Sequence, residues 1–173
     1  MKKQFFLAAA VVTAAAFSLA SCDKNDSDNS MLQVRMTDAP TALDSVLIDI
    51  REVRVKMSDD STGDDNWTNL STQAGVYNLL SFQNGVDTLL ASGSIPAGNV
   101  KQLRFVLGTN NRVVASGVSY PLTVPSGAES GLKINLNKNI SSPLETLLID
   151  FDAAASIKLE QGGYKLRPVL KIK

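Results

Sequence analysis

The chain has 173 residues, with 17 Lys and Arg against 17 Asp and Glu, and no histidine. This balance leaves no basic footprint for nucleic acid. The missing imidazole excludes Ser-His-Asp and Cys-His catalysis, His-ligated zinc and the usual pH switch, so any catalysis rests on carboxylates, Lys, Tyr or Ser.

Lys2 and Lys3 precede an apolar run from Phe5 to Phe17, broken only by Thr13. The run falls short of the roughly 20 apolar residues a spanning helix needs. A positive start, a short apolar stretch and small residues make a secretory signal peptide. Those small residues lead into Cys22, the single cysteine. Leu19-Ala20-Ser21-Cys22 resembles the bacterial lipobox. In such signals the cysteine thiol takes a diacylglyceryl group, the preceding bond is cut, and the new amino terminus is acylated, as with palmitate. The resemblance implies that residues 1–21 are a lipoprotein signal peptide and that Cys22 is the lipidation site. A buried core cysteine fits poorly among Ser21, Asp23 and Lys24. Each buried methylene contributes about 0.8 kcal/mol, so one acyl chain anchors marginally and two or three anchor firmly. A lone cysteine also excludes an intramolecular disulfide. Removal of Lys2 and Lys3 leaves 15 basic against 17 acidic side chains. Asp23 to Ser30 carries no apolar side chain, so residues 22–30 read as the lipidated cysteine and a flexible linker. Acidic residues close behind such a cysteine also resemble the surface-export signal of some Gram-negative lipoproteins; a generic solvated spacer is the alternative.

From Met31 to Lys173 the pattern is that of one β domain. Leu32, Val34 and Met36 alternate with Gln33, Arg35 and Thr37, a half-buried strand stopped by Asp38-Ala39-Pro40. Val46, Ile48 and Ile50 share one face of a second strand, with Val53, Val55 and Met57 beyond them. The step of three from Ile50 to Val53 predicts a β-bulge near Arg51-Glu52. Asp49, Arg51, Arg54 and Lys56 are expected on the solvent face. A short strand at Trp67–Leu70 follows an acidic loop. Val76 to Leu80 fits a strand or a helical turn, and Thr88 to Ala91 leads to Ile95-Pro96. From Val100 to Leu107 the pattern is a strand, with Leu103, Phe105 and Leu107 inward and Gln102 and Arg104 outward. Hairpins are predicted about Ser116-Gly117 and about Gln161-Gly162-Gly163. Between them lie strands at Leu132–Leu136 and Glu145–Phe151, then a helical turn at Ala153–Ser156. Pro168 marks an edge strand or a bulge.

Eight to ten short strands, spaced by turn signals, predict an all-β fold: an antiparallel β-sandwich with only short helical turns. Thr37-Asp38-Ala39-Pro40, Asn66-Trp67-Thr68-Asn69-Leu70, Ile95-Pro96-Ala97-Gly98, Leu148-Ile149-Asp150-Phe151-Asp152 and Tyr164-Lys165-Leu166-Arg167-Pro168-Val169 follow in order. Together they resemble the domain of unknown function 4382 family of bacterial exported lipoproteins. The resemblance covers residues 31–173 and implies a compact β-rich domain at the cell envelope with no assigned reaction. In general look it is similar to transthyretin-like and other prealbumin-type sandwiches, which is fold analogy alone.

Asp59, Asp60, Asp64 and Asp65 crowd one loop and are candidate calcium ligands, but without EF-hand spacing; a solvated hairpin tip is the alternative. Asp150 and Asp152 are two apart and point the same way on a strand, as acid-base carboxylates or cation ligands do. The structural alternative has Asp152 capping the Ala153–Ser156 turn and Asp150 paired with a basic residue such as Arg167. Asp38 has the same two readings. Trp67, Tyr77, Tyr120 and Tyr164 are aromatics a sugar-binding face uses, although a core absorbs them equally well. Ser126, Ser130 and Lys133 do not form an S-x-x-K pattern.

The leading expectation is a non-enzymatic protein anchored by lipid to the outer membrane, periplasmic or surface-exposed. It would act as a binding or assembly module for an envelope protein or glycan, with no cofactor. The second is a pilin-like or adhesin-like subunit assembling by strand addition, which a long exposed edge strand near Met31 or Lys173 would favour. The third is a carboxylate-based hydrolase using Asp38, Asp150 and Asp152.

Overall fold

The computed structural model describes residues 29–57, 66–125 and 131–173. Cys22, Asp59, Asp60, Asp64, Asp65, Ser126 and Ser130 lie outside the described residues. The fold is all-β, in two open sheets.

The first strand, β1, is Asn29–Thr37. It begins within the expected linker, and Ser30 is already buried. β2 (Ser45–Lys56) is the longest strand. β3 (Thr68–Asn69) and β4 (Ser71–Thr72) follow, then β5 (Gly75–Asn78). Both readings of the next segment hold in turn, because β5 runs into a 3-10 turn at Leu79–Phe82. The Asn78 side chain accepts a hydrogen bond from the Leu80 N–H there. β6 (Thr88–Pro96) and β7 (Gly98–Leu107) are long strands, and β8 (Arg112–Ala115) and β9 (Val118–Thr123) form the first hairpin. Its two turn residues, Ser116 and Gly117, have φ of 50° and 74°, the left-handed backbone that a two-residue hairpin demands.

β10 (Leu132–Ile140) and β11 (Leu144–Phe151) precede α1 (Ala153–Ser156), a single helical turn. β12 (Ile157–Glu160) and β13 (Gly163–Leu166) form the second hairpin. Beyond this hairpin the chain does not continue as one strand to its end. β13 stops at Leu166, ahead of Pro168, and β14 (Leu170–Ile172) joins the other sheet. A proline has no N–H to keep the ladder going, so the chain changes sheets there.

One sheet has the order β14-β11-β1-β6-β4. The other runs β10-β7-β2-β8-β9-β13-β12, with β3 and β5 also on β2. Most pairs are antiparallel, but β1 pairs with β11 in parallel, and so does β13 with β9. Both sheets are therefore mixed, which corrects the antiparallel expectation. Strand alternation reports which face is buried, not the direction of a neighbour more than a hundred residues away. β1 lies between β11 and β6, so the first strand is an inner strand and not an exposed edge.

β2 carries the bulge. Ile50 pairs with Leu107 and Glu52 with Val106, leaving Arg51 as the extra residue. The shift returns Val53 and Val55 to the core beside Ile48 and Ile50. β2 also forks the sheet. Ile50 to Lys56 pair with β7, while Ser45 to Leu47 pair with β8 on the same side. Two wings leave β2, one through β7 to β10 and the other through β8 to β9, β13 and β12. The sheets share one core, with Leu32, Val34, Leu147 and Phe151 from one and Ile48, Val53, Leu103 and Phe105 from the other.

Candidate functional site

The parallel pairing of β1 with β11 sets Thr37 beside Asp150, so Asp38, Asp150 and Asp152 arrive at one end of the sheet. Each is bound into the fold there. Asp38 is only 3% exposed. Its Oδ1 accepts the Ala153 N–H at 2.9 Å and its Oδ2 accepts Gln83 Nε2 at 3.2 Å. It thereby ties the first crossover to α1 and the 3-10 turn. Burial pushes its carboxyl above the ordinary value of 3.8, and Asp150 adds to the rise; the donors from Ala153, Gln83 and Ala39 oppose it.

Asp152 is the N-cap of α1, accepting the Ala155 N–H at 2.9 Å. This is the structural role that its position before Ala153–Ser156 implies. Asp150 does not pair with Arg167. Its Oδ2 lies 3.1 Å from Lys173 Nζ, whereas Arg167 Nε reaches Glu160 at 2.6 Å. The break at Pro168 explains the exchange. Arg167 stays with the β12–β13 hairpin, and β14 brings Lys171 and Lys173 to β11. Lys165 and Arg167 together draw Glu160 down to about 2, with the Arg167 hydrogen bond the larger cause. Among the described residues no group of three His, Cys, Asp or Glu is placed to hold a metal.

Asp49 is the feature that strand alternation misplaces. It was expected on the solvent face, yet its side chain is fully buried. The turn from Gly108 to Asn111 covers it at the fork between the two wings. Asp49 Oδ2 accepts Arg51 at 2.8 Å and the Asn110 N–H at 3.1 Å. Its own N–H donates to Asn111 Oδ1 at 2.9 Å, and its carbonyl accepts the Gly108 N–H at 2.8 Å. A Cβ at Gly108 would stand 2.2 Å from Asp49 Oδ2, so the approach requires glycine. The available signal was the Gly-Thr-Asn-Asn turn, whose amide side chains cap neighbouring main chain.

The four candidate aromatics do not share a face. Tyr77 packs on Phe82 against the core, with ring centroids 6.3 Å apart. Tyr120 and Tyr164 meet as tilted rings, centroids 5.2 Å apart, on the wing of β9 and β13. Trp67 lies over the outer face of β7, where the Arg104 guanidinium sits 4.1 Å from its ring centroid. Arg104 points outward as expected but is 3% exposed under that ring. Beside this pair runs an amide ladder. Gln102 Nε2 donates to Asn135 Oδ1 at 2.8 Å, and Asn99 Nδ2 donates to Asn137 Oδ1 at 3.2 Å. Arg54, Arg104 and Lys133 stand in register across β2, β7 and β10.

These features define an all-β domain whose carboxylates hold crossovers and turns and whose nine-stranded sheet carries Trp67, Arg104 and paired amides on its outer face. The chain belongs to the family described as Domain of unknown function (DUF4382), whose model matches residues 29–168. No curated protein and no solved structure matches it. No helix among the described residues is long and apolar enough to cross a membrane.

Proposed function

We propose that the protein is a non-enzymatic binding module of the cell envelope, anchored to the outer membrane through lipid on Cys22. Its ligand surface is the outer face of the nine-stranded sheet. The observation that carries this reading is Trp67 seated on buried Arg104 beside the Gln102–Asn135 and Asn99–Asn137 pairs. An indole offers a flat apolar surface with one polar edge, and side-chain amides both donate and accept, a combination suited to a glycan. The carboxylates favour a module over a hydrolase, since Asp38 and Asp152 each accept main-chain N–H groups and Asp150 faces Lys173. Strand addition at the chain ends draws less support, because β1 is an inner strand and β14 has three residues.

One experiment tests both halves. The native protein, Cys22→Ala and Trp67→Ala are compared by intact mass, membrane fractionation and retention on immobilised peptidoglycan and extracted envelope polysaccharide. The wild type should carry acyl mass and sediment with membrane, and Cys22→Ala should lose both. Trp67→Ala should stay anchored and bind glycan about fivefold to tenfold less. Identical cleavage and solubility of wild type and Cys22→Ala would remove the anchor. Equal retention of Trp67→Ala would remove the sheet face.

A further inference from the structure

The nine-stranded sheet ends at β12, whose outer edge pairs with nothing among the described residues. The direction of its backbone follows from the hairpin. The Arg167 N–H donates to the Ser156 carbonyl at 2.8 Å, Lys158 lies opposite Lys165, and Glu160 lies opposite Gly163. Hydrogen-bonded pairs alternate along an antiparallel ladder, so Ser156, Lys158 and Glu160 turn their backbone groups toward β13. Leu159 turns its N–H and C=O toward the free edge. The residue is 72% exposed, its side chain in solvent.

That side chain belongs to an apolar face that outruns its cover. Leu159 stands opposite Tyr164, and Tyr164 stands opposite Leu122. Tyr120 packs its ring at a tilt against Tyr164 and is 39% exposed. One step inward on the same face, Ile157, Leu166, Leu122 and Val113 are buried in the core. The wing therefore continues its core-facing surface into solvent and closes it with an unpaired strand.

We propose that a second copy of this chain covers this surface, with β12 pairing antiparallel to its own copy about a twofold axis at Leu159. The segment Lys158-Leu159-Glu160 is self-complementary in that register. Leu159 exchanges both backbone hydrogen bonds with its counterpart, and Lys158 falls opposite the partner's Glu160, twice by symmetry. Among the described residues Lys158 makes no ion pair of its own. Glu160 is held in place by Lys165 at 2.9 Å and Arg167 at 2.6 Å, so its carboxylate is positioned before a partner arrives. An unpaired edge with an apolar flank is a template for another strand, and a four-residue strand makes a small, concentration-dependent interface. This inference does not rest on the membrane anchor or on the glycan face.

Sedimentation velocity of the purified full chain in mild detergent, across a concentration series, tests it. The expected result is a reversible dimer. Lys158→Glu should weaken it about tenfold, because each Glu160 then meets a like charge. Leu159→Arg should abolish it. Lys158→Glu mixed with Glu160→Lys should recover association as a heterodimer, since both cross-strand pairs become opposite in sign again. Thermal melts by circular dichroism establish that each variant is folded. Should Glu160→Lys fail to fold, Leu159→Cys in the Cys22→Ala chain replaces it and should cross-link copy to copy under mild oxidation. A monomer at every concentration, or a dimer indifferent to both Lys158→Glu and Leu159→Arg, overturns the proposal.

Discussion

Asp38 shows how one residue type serves a fold while looking like a reagent. A buried carboxyl near a second carboxyl has the outline of an acid-base pair. Its two oxygens, however, are taken by the Ala153 N–H and Gln83 Nε2. Removing the acceptor should leave the Ala153 donor buried without a partner, so Asp38→Ala should cost about 1–3 kcal/mol in chemical denaturation. Asp38→Asn separates shape from charge. The amide oxygen still accepts from Ala153, and the Gln83 amide can reverse to accept from the new NH2 group. Because burial holds the Asp38 carboxyl above 3.8, the folded state binds its proton more readily than the unfolded state does. The contribution of Asp38 is therefore most favourable below 3.8 and declines as pH rises through the raised value. The stability difference between Asp38→Asn and wild type should move in favour of Asn between pH 4 and pH 7. A difference flat with pH would mean that Asp38 ionises as freely in the fold as in the unfolded chain.

At the scale of the element, the turn from Gly108 to Asn111 decides where β2 leaves β7 and takes up β8. Asp49 is the post on which that turn closes. An added methyl at Gly108 would meet Asp49 Oδ2 at 2.2 Å and Arg51 Nε at 2.5 Å. Gly108→Ala should therefore destabilise by about 2–3 kcal/mol, the upper part of the usual cost of overpacking. Gly117→Ala meets nothing within 4 Å and bears only the strain of its φ of 74°. It should cost about 1 kcal/mol. Equal losses at the two sites would show that Asp49 yields readily and does not fix the fork. The same region marks the limit of what local pattern reveals. The Ile50-to-Val53 step announced the bulge at Arg51, Ser116-Gly117 announced its hairpin, and Asp152 announced its cap, because each is written within a few residues. The burial of Asp49 depends on a turn some sixty residues later, and the Asp150–Lys173 contact on a sheet change at Pro168. Alternation assigns a residue to a face but carries no record of what later covers that face. Trp67 was legible as a candidate aromatic; its seat on Arg104 was not, since it joins β7 to a segment beyond a loop.

For the whole molecule, the short segment from Thr68 to Thr72 determines whether the two sheets behave as one body. β3 pairs with β2 in one sheet and β4 pairs with β6 in the other, so the chain steps between sheets at Leu70. The step is tied to β2 on both sides. The Leu70 N–H donates to the Val53 carbonyl at 2.9 Å, and the Val53 N–H donates to Thr72 Oγ1 at 2.9 Å. Leu70 itself is buried in the common core, over Gly93 of β6. Leu70→Ala should cost about 2–4 kcal/mol, the loss of a buried leucine with incomplete collapse of the space it leaves. The way that loss is taken discriminates between two architectures. Trp67 is the single tryptophan and sits three residues before Leu70, on the nine-stranded sheet, so its fluorescence reports that sheet. Far-UV circular dichroism reports both sheets. A shared core makes unfolding all-or-none, so the two signals should coincide in urea for the wild type and for Leu70→Ala, with the midpoint lowered and the slope unchanged. A Trp67 transition that runs ahead of the dichroism in Leu70→Ala would mean that the sheets unfold separately. The step at Leu70 would then be a hinge between two bodies and not a tie within one.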